Sequence, residues 1–152
     1  MAFNQLSLKG RALRLLGQRE HSRAELERKL RPHETEAGEL AKALDDLQAK
    51  GFINEQRVLE SVIFRRAPRL GVMRVRQELL AKGLAPEAIA LAVGNLKATE
   101  VERAREVWRK KFGGPADDAQ GRAKQMRFLS TRGFAAETIY KVVKGSEDDG
   151  IE

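Results

Sequence analysis

Cysteine is absent from the 152 residues, so neither a disulfide nor a thiolate metal site can form. Aromatic side chains are sparse at 5%, and the only histidines are His21 and His33. Neither histidine has a spaced partner to complete a metal set. Both fall beside predicted helix ends, which predicts a surface or capping role for each. No Gly-x-x-x-x-Gly-Lys-Ser/Thr stretch occurs, so nucleotide hydrolysis has no phosphate cradle, and the chain reads as a non-enzyme without cofactor or metal. Long apolar runs are missing as well. The uncharged stretch 88–96 is nine residues, far short of a membrane span. The opening Met-Ala-Phe-Asn-Gln has neither the basic nor the apolar region of a signal peptide. A soluble, cytoplasmic protein with no membrane partner is expected. No segment alternates over strand length, which leaves an all-α chain.

What is present is charge. Charged residues make up 34% and apolar ones 41%, a mix that suits helices with narrow apolar stripes and wide solvated faces. Net charge is +7, and its distribution says more than its size. The segment 146–152 holds four carboxylates and no cation, so residues 1–145 carry +11. That acidic tail is expected to be disordered. Residues 65–82 hold six cations against one anion (Arg65, Arg66, Arg69, Arg74, Arg76 and Lys82 against Glu78). Residues 103–132 hold nine against three, among them Arg109, Lys110, Lys111, Arg122, Lys124, Arg127 and Arg132. Such density fits a polyanionic or acidic partner; the alternative is a solvated face.

Helix signals recur along the chain. Leu6, Leu13 and Leu16 lie on one side of a first helix that Gly17 is expected to end. Ser22-Arg-Ala-Glu25 reads as a capping box opening a helix with Leu26 and Leu30, which stops before Pro32. A third helix is predicted over 34–50, and Asn54 caps a fourth with Val58, Leu59, Val62 and Ile63 inward. Val72, Val75, Leu79 and Leu80 stripe the fifth. Pro86 opens the sixth. Thr99-Glu-Val-Glu102 reads as a second capping box, before a helix with Val101, Ala104, Val107, Trp108 and Phe112 inward. Trp108 and Phe112 could stack on bases, but that shared stripe favours burial. Asp117-Asp118 follows Gly-Gly-Pro and precedes an eighth helix, so N-capping outweighs metal chemistry there. Residues 135–144 form the ninth.

Three joints share one form. Leu47-Gln-Ala-Lys-Gly-Phe52, Leu79-Leu-Ala-Lys-Gly-Leu84 and Leu129-Ser-Thr-Arg-Gly-Phe134 each end a helix on a cation and a glycine. Gly51, Gly83 and Gly133 are therefore predicted structural residues at left-handed helix stops of the Schellman kind. Gly83 and Gly133 stand 50 residues apart, each preceded by a glycine 12 residues earlier, Gly71 and Gly121. Nine helices thus fall into tandem three-helix repeats, 1–52, 53–98 and 99–145, followed by the tail 146–152. Short triplets bury little alone, so neighbours should share a core.

Four blocks carry a family resemblance over nearly the whole chain: residues 22–30, 51–57, 65–89 and 128–139. The most specific is the run from Gly71 through Arg-Gln-Glu-Leu-Leu-Ala-Lys-Gly-Leu84. The chain resembles the RecX family of recombination regulators. Val58 and Leu59 stand where that family often has an aromatic and a small residue, and Thr131 where a second cation is common. The resemblance implies an elongated, curved rod of helix-turn-helix-like units. It implies a negative regulator of RecA, the bacterial recombinase, that binds in the groove of RecA filaments on single-stranded DNA. There it blocks filament extension and lowers ATP hydrolysis, strand exchange and co-protease activity, which modulates recombination, DNA repair and the SOS response. The partners implied are RecA, its single-stranded DNA filaments and, weakly and without sequence preference, nucleic acid; the chain itself is expected to be a monomer. The cations named above, Arg65 through Arg132, are the contact candidates.

A helix-turn-helix-type DNA-binding regulator is the competing class. It would concentrate base-reading side chains on one recognition helix, whereas these cations spread over at least three.

Overall fold

The computed structural model describes residues 6–145; the acidic tail 146–152 lies outside them. Among the described residues the chain is helical and carries no strand, as the lack of alternation predicts. The helices are α1 (Leu8–Gln18), α2 (Arg23–Leu30), α3 (Glu39–Ala49), α4 (Glu55–Arg66), α5 (Val72–Ala81), α6 (Pro86–Ala98), α7 (Glu100–Phe112), α8 (Ala119–Thr131) and α9 (Ala136–Val143). A 3-10 turn, Arg31–His33, carries Pro32 just past α2.

Side-chain caps fix four of the starts, those of α1, α2, α4 and α8. The Ser22 hydroxyl accepts from the Glu25 N–H at 3.1 Å and the Glu25 carboxylate accepts from the Ser22 N–H at 3.0 Å, so both halves of the capping box form. Asn54 Oδ1 accepts from the Arg57 N–H at 2.9 Å, and Asp118 Oδ1 from the Gly121 N–H at 2.7 Å. Each pairing satisfies an amide that the helix itself leaves open.

Several expectations are corrected. Helix α1 runs through Gly17 to Gln18 and stops where Arg19 turns extended. Its core side is Leu8 and Ala12; Leu6 precedes the helix, and Leu6 and Leu13 are exposed. Helix α3 begins at Glu39 rather than residue 34, because Gly38 at φ +84° breaks the path and the Glu34 carboxylate receives the Leu40 N–H at 2.9 Å. Leu80 faces solvent, so the α5 stripe is Val72, Val75 and Leu79. The second capping box does not form. Thr99 is also the C-cap of the preceding helix; its hydroxyl donates to Leu96 O at 3.3 Å and accepts from Arg103 Nε at 3.1 Å, not from a backbone N–H of α7. Its near-helical ψ of 5° leaves no extended residue to present the oxygen forward.

The described residues form two compact units: 6–61 with 81–84, and 62–80 with 85–145. In the first, Leu8, Ala12, Leu26, Leu30, Leu40, Leu44, Leu47 and Ile53 make one buried cluster from α1, α2, α3 and the turn that follows α3. In the second, Ala104, Trp108, Leu129, Phe134, Ile139, Val142 and Val143 make another, where α9 lies against α7 and α8. Trp108 is 3% exposed and its Nε1–H donates to Gln125 Oε1 at 2.9 Å, which settles it as core rather than a stacking platform.

The three glycine joints have φ of +83° (Gly51), +72° (Gly83) and +89° (Gly133). At Gly51 and Gly133 the bonding is that of a Schellman stop. Phe52 N–H reaches Leu47 O at 2.9 Å and Gly51 N–H reaches Gln48 O at 3.1 Å; Phe134 N–H reaches Leu129 O at 3.2 Å and Gly133 N–H reaches Ser130 O at 3.0 Å. Within the second unit the Gly133 joint is also a docking point for backbone. Gly71 N–H donates to Arg132 O at 2.8 Å and Met73 N–H to Gly133 O at 3.2 Å. A Cβ on Gly71 would run into the Gly133 carbonyl and the Phe134 nitrogen.

Candidate functional site

The two units use their charges differently. Residues 1–61 with 81–84 hold twelve cations and ten anions, a net +2. Residues 62–80 with 85–145 hold seventeen and eight, a net +9.

In the first unit many of the cations are drawn into ion pairs. Glu25, 5% exposed, receives Arg19 at 2.7 Å and Lys82 at 3.2 Å as well as the Ser22 N–H. Burial alone would raise its pKa; the Arg19, Ser22 and Lys82 bonds outweigh that and hold it at about 2. Lys82, a contact candidate by sequence, is thereby committed: its side chain is 14% exposed and sits on a buried carboxylate. The carbonyls around it are capped too, Lys82 O by the Ser22 hydroxyl at 2.5 Å and Ala81 O by Arg28 at 3.2 Å. Arg23 bridges Glu27 and Asp45, Arg57 meets Glu20, and Lys9 and Lys50 converge on Asp46.

His21 departs from the surface expectation. It is 1% exposed, with Nδ1 3.0 Å from Arg19 O and Nε2 3.2 Å from Lys29 Nζ. An ammonium can only donate, so Nε2 accepts and Nδ1–H donates to the carbonyl, which makes the ring neutral. Burial, together with Arg19 and Lys29, lowers its pKa in the same direction, against the Arg19 carbonyl bond and Glu25. His33 is exposed on the 3-10 turn. Asp118 is an N-cap, and among the described residues no group of three His, Asp or Glu could hold a metal ion.

In the second unit the cations face outward. Arg65, Arg69, Arg74, Arg76, Arg109, Lys110, Lys111, Lys124 and Arg127 are exposed, while Arg66, Arg122 and Arg132 are half-buried. Two of them have structural duties. Arg66 Nε lies 3.2 Å from the Glu78 carboxylate. Arg74 donates to Thr131 O at 2.8 Å and lays its stem against Gly133. Four others meet around one aromatic. Arg69, Lys110, Lys111 and Arg132 line a cavity of about 350 Å³ with Val107 and Phe128. Arg132 Cζ stands 4.8 Å and Lys111 Nζ 5.6 Å from the Phe128 ring centre, and Phe112 meets that ring edge-on at 5.3 Å. The ring holds both cations at the rim of the cavity, where their charge faces an incoming anion.

Sequence reasoning missed the residues that hold this surface in place. Glu100, read as part of a cap, is 5% exposed, and accepts from the Val72 N–H at 3.0 Å and the Thr138 hydroxyl at 2.8 Å. It thus ties α5 to α9 through α7. Arg103, one turn on, donates to Ala67 O at 2.8 Å and Leu70 O at 2.9 Å through one nitrogen, and to Leu96 O at 2.9 Å through another. Burial lowers its pKa, with Glu100 acting against that. The available signal was that Thr99 follows a helix directly, which left Glu100 free to turn inward.

Two stretches match known domains: residues 9–47 the RecX first three-helix domain, and residues 98–143 the RecX third three-helix domain. The chain is 54% identical over 146 residues to the regulatory protein RecX of Leptothrix cholodnii, covering 95% of this chain and 93% of that one. It is 46% identical over 149 residues to the regulatory protein RecX of Herminiimonas arsenicoxydans, covering 98% and 99%. The crystal structure of RecX from Lactobacillus salivarius superposes with a TM-score of 0.72 at 20% identity, over 91% of this chain and 93% of that one, which shows a shared fold. The all-helical architecture, the matched three-helix domains and the near-full-length identity lead to one conclusion: this chain belongs to the RecX family, a family of regulatory proteins.

Proposed function

We propose that this chain is a cytoplasmic negative regulator of RecA that lies in the groove of the RecA filament, blocks its extension, and so lowers ATP hydrolysis, strand exchange and co-protease activity. The observation that carries the reading is the +9 charge of the second unit, presented outward in a member of a regulatory family. The three-helix repeats 1–52, 53–98 and 99–145 act as successive contact units. The exposed cations of α5, α7 and α8 meet acidic protein surface and DNA phosphate without reading base sequence, since they are spread over several helices. Linked contacts make removal of one repeat more damaging than its share of the surface.

The test is filament growth by RecA from the same organism, followed by electron microscopy and by DNA-dependent ATP hydrolysis. Shorter filaments and lost hydrolysis at less than one chain per RecA support the reading. Unchanged filaments at a several-fold excess of folded protein refute it. Tight, sequence-selective binding to one duplex would instead support a DNA-binding regulator.

A further inference from the structure

The basic cavity around Phe128 does not stand alone in the second unit. A wider depression of about 540 Å³ shares Pro68, Glu106 and Lys110 with it, and continues over Ile63, Phe64 and Ala67. Phe64 is 84% exposed although it is a large apolar side chain on the edge of an apolar floor. Exposed apolar surface of this kind, rimmed by charge, marks contact sites more often than chance exposure does. The two halves differ in character. One is apolar, with Glu102 and Glu106 beside it and Arg103 committed to backbone carbonyls. The other gathers Arg69, Lys110, Lys111 and Arg132 against the single carboxylate Glu106.

We propose that this double groove docks an acidic peptide segment of a protein partner. A large apolar side chain seats among Ile63, Phe64 and Ala67, and the flanking carboxylates lie over Arg69, Lys110, Lys111 and Arg132. Charge complementarity selects the acidic occupant, and Glu102 and Glu106 orient it by repelling carboxylates from the apolar half. Nucleic acid fits less well. Arg132 and Lys111 already stand over the Phe128 ring and Phe112 meets it edge-on, so a base stacking there would compete with these contacts. The apolar half offers a phosphate only Lys110 at its shared edge, because Arg103 is committed to backbone carbonyls and Glu102 and Glu106 would repel it. The proposal deepens the regulator reading and rests on it only in assuming a protein partner.

The experiment uses the full chain and a fluorescein-labelled twelve-residue probe, rich in Asp and Glu, with Phe and Leu four residues apart. Binding is read by anisotropy, and the site by amide shifts in the nitrogen-15 spectrum. Shifts should concentrate at 63–69, 106–111 and 128–132. Phe64→Ala and the double change Lys110→Glu with Lys111→Glu should each weaken binding about tenfold, as loss of an anchor or of paired rim charges does. A probe with Ala in place of Phe and Leu should bind about tenfold more weakly. These side chains are exposed, so circular dichroism and Trp108 fluorescence should be unchanged. No binding, or binding indifferent to Phe64→Ala, overturns the proposal. So does displacement of the probe from the same amides by a twelve-nucleotide oligothymidylate that binds more tightly. The assay contains no RecA. Failure here beside intact RecA inhibition sinks the groove alone, and probe binding without RecA inhibition sinks the regulator reading alone.

Discussion

The unit of residues 1–61 with 81–84 and the unit of residues 62–80 with 85–145 are built from the same short capped helices, yet their charges serve opposite ends. In the first, Arg19 and Lys82 close on Glu25, and Arg23, Arg57, Lys9 and Lys50 find carboxylates nearby. In the second, carboxylates are scarce, and Arg76, Arg109, Lys111, Lys124 and Arg127 stand exposed. The carboxylate that is most deeply placed there, Glu100, is taken by an amide and a hydroxyl rather than a cation. Cations spent on folding are unavailable to a partner; surplus cations on a solvated face are available at little cost to stability, because surface ion pairs contribute little anyway.

The largest effect should come from the joint that is shared in form but not in surroundings. Gly51 and Gly133 both sit at positive φ, but a Cβ at Gly51 meets nothing, whereas one at Gly133 would strike the Arg74 side chain and its backbone nitrogen. Gly133→Ala should cost about 3 kcal/mol or more and Gly51→Ala about 1 kcal/mol, read as urea midpoints. Equal losses would mean that left-handed strain alone governs both joints.

Next comes Glu25. Its folded pKa of about 2 lies below the ordinary carboxylate value, so the native state binds that proton more weakly than the unfolded chain. The stabilisation is complete above the ordinary value and is lost as pH falls from there towards 2, on the order of 3 kcal/mol in all. Urea titrations at pH 7, 4 and 3 should show that loss, and Glu25→Gln should be less stable at pH 7 but flatter across the series. Parallel curves for the two proteins would remove Glu25 from the account.

In the second unit Glu100→Ala strands the Val72 N–H, which should cost about 1–3 kcal/mol. Hydrogen exchange should speed up at Val72 while amides of α2 keep their protection. Uniform acceleration in α2 as well would mean that Glu100 supports more than its own unit.

These contrasts explain what was legible beforehand. Caps and joints depend on residues three to six apart, so Ser22, Asn54, Asp118 and the glycine stops could be read directly. The same local grammar misled at Thr99, where two helices share one residue, and at residues 34–38, where Gly38 turns left-handed before α3. Cation density was readable too, but not its use. Lys82 and Arg76 look alike in sequence; the first is claimed by Glu25, 57 residues away, and the second is exposed. Glu100 and Arg103 escaped notice because their partners are backbone groups, which leave no mark in a pattern of side chains.

The proposed regulation runs through the surplus cations of the second unit. Its most direct test measures DNA-dependent ATP hydrolysis by RecA against increasing amounts of three folded proteins. These are the natural chain, a chain with the exposed first-unit cations Arg14, Arg31 and Lys42 changed to Glu, and a chain with Arg76, Lys124 and Arg127 changed to Glu. Each triple should change stability little, within about 0.5 kcal/mol per site. The natural chain and the first-unit triple should suppress hydrolysis at less than one molecule per RecA, and the second-unit triple should need at least about tenfold more. Equal potency of the two triples, or no suppression by the natural chain at a several-fold excess, would contradict the claim.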